Sequence, residues 1–167
     1  MTTNDTEVGW QEFLEKRLTP EAASALGLAD AQSGALYAGA VSVDGLSGFE
    51  NFQREDFQRS EDYQVEDEEG ASVTVNEAAT LVEAVSPDSS RSPVWLGGVR
   101  YVFLHGAEDS ATGFRYAVVA KGEIRVYLVL ADGYIVIAGS DSDRATDKTA
   151  ALTVALELGT SLVAESN

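Results

Sequence analysis

The chain has 167 residues, with 28 Asp and Glu against 11 Lys and Arg, one His, no Cys and 44% apolar residues, for a formal net charge of −17. That length suits one domain around one core, and a surface so negative repels phosphate backbones, which excludes nucleic acid and disfavours membrane phosphoinositides. The missing cysteines exclude disulfides and thiolate chemistry, the polar and acidic opening has no signal-peptide pattern, and no apolar run reaches the roughly 18 residues of a membrane span. One soluble, cytoplasmic domain over residues 1–167 is therefore expected.

The first predicted helix has Trp10, Phe13, Leu14 and Leu18 on one stripe, with Thr6 as a cap and Pro20 closing it. Strand-like runs at 22–28 and 35–41 flank the turn-like Asp30–Gly34 and predict a hairpin. Two further short runs, 62–65 and 72–75, flank Glu66-Asp67-Glu68-Glu69-Gly70 and predict a second, acidic hairpin. A lone two-stranded ribbon is marginal in water, and four adjacent carboxylates oppose burial. This segment reads as a projecting arm, with a plain acidic loop as the alternative.

A second helix follows, with Ala78, Leu81, Val82 and Val85 on one face, Asn76 as N-cap and Pro87 beyond its end. Strands are then predicted at 94–96, 99–104, 114–120, 124–130 and 134–138, joined by short Gly-containing turns. Such connectors force antiparallel neighbours, since a parallel crossover needs about a dozen residues or more. The last helix, over 145–164, carries Leu152, Ala155, Leu156, Gly159, Leu162 and Val163 as its expected apolar stripe. Gly159 within it costs about 1 kcal/mol against Ala, which points to close packing or a frayed last turn. The sum is an α+β domain with helices packed on an antiparallel sheet.

The charge is uneven along the chain. Residues 50–69 hold nine acids and two bases, a net of −7, whereas 91–125 hold five bases and three acids, a net of +2. Catalytic patterns are missing: no nucleophile elbow, phosphate loop, dinucleotide turn or zinc-protease pair occurs. His105, at the predicted end of a strand, reads as structural or interfacial. Asp141 and Asp143 imitate a calcium loop, but Thr146 and Leu152 stand where that loop needs Gly and Glu. A binding protein without metal or cofactor is the default expectation, and not an enzyme.

Several ordered segments carry a resemblance. They are Gly9-Trp10; Val75-Asn76-Glu77-Ala78-Ala79-Thr80-Leu81; Val94-Trp95-Leu96-Gly97-Gly98-Val99-Arg100-Tyr101; Gly133-Tyr134-Ile135-Val136-Ile137-Ala138; and the stretch from Lys148 to Ala155. In that order they resemble the profilins, and the acidic hairpin near 62–75 resembles the arm of the apicomplexan type. The resemblance implies a central antiparallel sheet flanked by N- and C-terminal helices plus a further helix. It also implies a monomer that binds actin monomers, regulates actin polymerisation and takes proline-rich segments such as those of formins.

Carried over by position, the resemblance implies actin contacts at Arg100, Lys121 and His105, with Lys148 and Glu157 near the last helix. Arg100 and Lys121 fall inside the net-positive stretch, a fact reached independently from charge. The arm supplies Tyr63, Val65, Glu66, Asp67, Glu68, Glu69 and Gly70. For proline-rich ligands, which dock on aromatic-lined grooves, the implied positions are Trp10, Phe13 and Tyr37. The last helix adds no aromatic, so such binding is expected to be weak; alternatively Trp10 and Phe13 pack between the terminal helices. A rival class is a sensory or scaffold module of PAS, longin or roadblock type, which shares a helix-wrapped five-stranded sheet.

Overall fold

The computed structural model describes residues 14, 16, 25–41, 58, 61–67, 69–86, 92–122, 124–141 and 150–166. The first predicted helix lies outside the described residues except for Leu14, which is helical and buried, and Lys16. The described strands are β1 (Ala25–Asp30), β2 (Leu36–Val41), β3 (Tyr63–Glu66), β4 (Ser72–Val75), β5 (Val94–Leu96), β6 (Val99–Glu108), β7 (Arg115–Lys121), β8 (Ile124–Ala131) and β9 (Tyr134–Asp141). Helix α1 (Glu77–Ala84) lies between β4 and β5, and α2 (Ala150–Ser166) follows β9.

Seven strands form one antiparallel sheet in the order β2-β1-β9-β8-β7-β6-β5. The meander from β5 to β9 matches the sequence expectation. The first hairpin forms as expected and joins the same sheet, with β1 running antiparallel to β9 from Ala25↔Gly139 to Asp30↔Tyr134. Its apolar residues on both faces explain the fit: Ala25 and Ala29 join one half of the core and Leu26 and Leu28 the other, so β1 is covered on both faces. Strand β6 also exceeds its predicted end at Leu104 and continues to Glu108, which places His105 inside a strand.

Each face of the sheet carries its own half of the core. Against α1, Leu81, Ala84 and Val85 pack on Leu96, Tyr101, Val119, Leu128 and Ile137. Against α2, Ala151, Ala155, Leu158 and Leu162 pack on Leu26, Val118, Val129 and Val136, joined by Leu14. Each large aliphatic side chain buried here contributes about 1.5–3 kcal/mol relative to exposure. Helix α1 has only eight residues, too short to persist alone. It is held by this burial and by Asn76, whose Oδ1 accepts the Ala79 N–H at 2.9 Å.

The buried stripe of α2 differs from the expected one. Ala151, Ala155, Leu158, Gly159 and Leu162 are buried, whereas Leu152, Leu156 and Val163 are half-buried. The small residues face the sheet because they let the helix approach it closely. At Gly159 a Cβ would lie 2.9 Å from Ala131 Cβ and 3.1 Å from the Phe114 ring, so this glycine marks close packing. Gly159→Leu should lower unfolding stability by about 1–3 kcal/mol through overpacking, measurable by urea denaturation.

Candidate functional site

Strand β6 divides its side chains between the two sides of the sheet. Tyr101 is buried on the α1 side, where desolvation raises its phenol pKa, while Arg100 and Val102 point to the other side beyond the cover of α2. Pairing shifts between Phe103 and His105, leaving Leu104 as the extra residue of a bulge. Arg100 and His105 are exposed, Val102 is 49% exposed and Leu104 44%, and the His105 ring stands edge-on to Tyr116 at 6.2 Å. The result is an open strip of one cation, two aliphatic side chains and one imidazole. The aliphatic members were not singled out from sequence, yet the run Val99–Leu104 carries apolar residues on both faces, which a strand with one covered face does not need.

The arm stands beside this strip. Strands β3 and β4 pair from Tyr63↔Val75 to Glu66↔Ser72, forming the second hairpin expected from sequence. The tip is ordered by Asp67, whose carboxylate accepts the N–H groups of Glu69 and Ala71 at 2.9 Å each, with Gly70 at φ 83° closing the turn. Glu68 lies outside the described residues. At the base, Val75 is buried, the Tyr63 hydroxyl donates to Glu77 Oε2, and Asn76 Nδ2 donates to Asp62 Oδ1 at 2.8 Å. The Tyr63 ring meets Trp95 edge-on at 6.2 Å. Between arm and body runs an open groove of about 930 Å³, bounded by Val65, Glu66, Val73, Glu83, Trp95 and Arg100. Arg100 therefore belongs to both the groove and the strip.

The remaining predicted positions are more scattered. Lys121 is exposed at the end of β7; alternation from Val119 puts it on the α1 side, opposite to Arg100. Glu157 is exposed on α2, and Lys148 lies outside the described residues. The structure thus groups Arg100 with His105 and the arm, and brings neither Lys121 nor Glu157 to that strip.

Trp10 and Phe13 also lie outside the described residues. Tyr37 is 45% exposed and is the extra residue of a bulge where Leu28 pairs Ala38 and Ala29 pairs Leu36. Its hydroxyl donates to Asp30 Oδ2 at 2.8 Å, which raises the phenol pKa. The Asp30 carboxyl is held below its ordinary value by the Ser33 N–H first, then by Tyr37 and the Gln32 N–H. Tyr134 stands T-shaped to Tyr37 at 6.1 Å. Sequence reasoning missed this partner because the two residues meet only through the β1–β9 pairing. Among the described residues no group of three His, Asp or Glu side chains is placed to hold a metal ion.

No family model matches the chain. Among curated proteins, it is 31% identical over 170 aligned positions to the profilins of two Plasmodium falciparum isolates, covering 93% of this chain and 97% of each relative. Among solved structures, it resembles Acanthamoeba castellanii profilin II with a TM-score of 0.61 at 19% identity, and profilin Ib with 0.59 at 19%. Both likenesses cover 95% of this chain and 99% of the other. They define the fold class, a curved antiparallel sheet flanked by terminal helices. The chain belongs to the profilin family, in its apicomplexan type. It is accordingly an actin-binding regulator of actin polymerisation, and membership implies a non-enzymatic protein. The PAS, longin or roadblock reading is not favoured.

Proposed function

We propose that this protein binds monomeric actin stoichiometrically through the β6 strip, with Arg100 as the central contact, Val102, Leu104 and His105 beside it, and the arm as an added contact. The single observation that carries this reading is the exposure of Arg100, Val102 and Leu104 together on one side of β6. Exposed aliphatic side chains flanked by a cation supply what a partner surface needs, an apolar centre and an orienting charge. Lys121, Lys148 and Glu157 are peripheral contacts in this scheme. The protein acts as a cytoplasmic monomer, and its effect on assembly follows from occupying a face of actin, with no chemical step of its own. A pyrene-actin assembly assay tests it: the protein should slow assembly in proportion to its concentration, and no effect would overturn the proposal. Deleting Tyr63–Thr74 should weaken, without abolishing, this effect.

Binding of proline-rich segments is proposed as a weak second activity at Trp10, Phe13 and Tyr37, with Tyr134 supporting Tyr37. Few aromatic anchors remain, and such anchors carry most of the energy at an interface. A proline-rich peptide should bind with Kd on the order of a millimolar, and Tyr37→Ala should weaken it further. Fluorescence titration reads both; a micromolar Kd, or a Tyr37→Ala variant indistinguishable from the parent, would count against the assignment.

A further inference from the structure

Glu77 is the one charged side chain found buried among the described residues, at 1% exposure. A buried carboxylate is costly unless its oxygens are hydrogen-bonded. Here Oε1 accepts the Gly97 N–H at 2.8 Å, and Oε2 accepts the Gly98 N–H at 2.7 Å and the Tyr63 hydroxyl at 2.5 Å. Gly97 and Gly98 have φ of 58° and 83°, the left-handed pair of a two-residue hairpin turn. In that turn both N–H groups point away from the ladder, and the carboxylate satisfies them. Arg100 follows two residues later, directly opposite Trp95 in the β5–β6 ladder. Tyr63 opens β3, and its ring rests on Trp95.

We propose that Glu77 is a positioning residue for actin: its buried carboxylate ties the base of the arm to the turn that presents Arg100, so the two meet actin as one preset unit. This rests on the actin reading given above. Groups held in their bound arrangement before contact lose less entropy on binding. The arm has no other strand to lean on among the described residues, since β3 pairs only with β4, and an isolated ribbon is marginal. The Asn76–Asp62 bond also spans the base of the arm, but it is exposed to solvent.

Two variants test this by different routes. Tyr63→Phe keeps the ring on Trp95 and both turn bonds but removes the donor to Glu77. Glu77→Gln leaves a single acceptor oxygen, so at least one turn N–H loses its partner. In Tyr63→Phe, amide exchange in the β3–β4 ladder should quicken about tenfold, as for loss of a hydrogen bond to a charged group, with exchange in β8 unchanged. Actin affinity should fall about three- to tenfold without a matching fall in melting temperature. Glu77→Gln should add faster exchange at Gly97 and Gly98. Unchanged arm exchange in Tyr63→Phe would overturn the positioning role, as would faster exchange with unaltered actin affinity. A parent protein without effect on actin would instead overturn the underlying reading, and with it the role of Glu77.

Discussion

Arg100→Glu is expected to weaken actin-monomer binding by about ten- to a hundredfold, the effect of placing a like charge where an orienting opposite charge stood. Arg100 is exposed on β6, so the folded state should tolerate the change, with stability altered by no more than about 0.5 kcal/mol. Its surroundings add to the effect. Glu66, Asp67, Glu69 and Glu83 border the same groove, so Arg100 is the only cation lining it among the described residues. Reversing it would leave the charged groups of the groove wall uniformly negative. Affinity from pyrene-actin titrations, measured beside a urea melt, separates the two quantities. An Arg100→Glu protein that binds actin like the parent would remove Arg100 from the interface. Raising ionic strength should shrink the difference between variant and parent, because exposed charges are screened within about 8 Å at physiological salt.

Gly34→Ala is expected to be strongly destabilising. Gly34 has φ 77°, where an L side chain costs about 1–2 kcal/mol. A Cβ there would also lie 2.0 Å from the Ala78 carbonyl oxygen, an atom of the α1 backbone that cannot rotate away. Either the β1–β2 turn or the helix must shift, and overpacking of this kind adds about 1–3 kcal/mol. The shift would disturb Gln58 as well, which donates to the Gly34 carbonyl at 2.8 Å and accepts the Leu36 N–H at 3.0 Å. The melting temperature should fall by on the order of 10 °C, read by circular dichroism. A loss below about 1 kcal/mol would show that the turn and α1 separate without strain. By contrast, Gly70 at the arm tip has no atom within 4 Å of an added Cβ, so only its φ of 83° opposes substitution.

Local patterning made much of the fold legible. The strand β5 and the arm strand β4 match their predicted bounds, because turn residues such as Gly70 and Gly97-Gly98 bracket short apolar or β-branched runs. Helix α1 begins where Asn76 predicts, since an N-cap acts on amides only two or three residues away. For α2 the sequence period was right, and the centre of the buried stripe is shifted toward Ala151 and Leu158. Of the predicted stripe Ala155, Gly159 and Leu162 are buried, whereas Leu152 and Leu156 pack at its edge, because the closest approach to Ala131 and Phe114 falls at Gly159.

The site was legible in its charges and obscure in its geometry. The net-positive stretch stood out because charge is a property of composition, and the resemblance picked Arg100 out of it. Val102 and Leu104 did not, since an apolar residue on a strand reads as core until the reach of the covering helix is known. Tyr134 became the partner of Tyr37 only when β1 paired with β9, across a long stretch of intervening chain.

The −17 balance, the antiparallel meander, the capped α1 and the acidic hairpin follow from residues near one another in sequence, because caps, turns and alternation act over a few residues. Contacts between distant segments were decided by tertiary structure. These include the joining of the first hairpin to β9, the exposure of the β6 strip, and the burial of the Glu77 carboxylate beneath Tyr63 and the Gly97–Gly98 turn. Each depends on which surfaces meet once the sheet has closed, and burial is a property of neighbours that the local sequence does not contain.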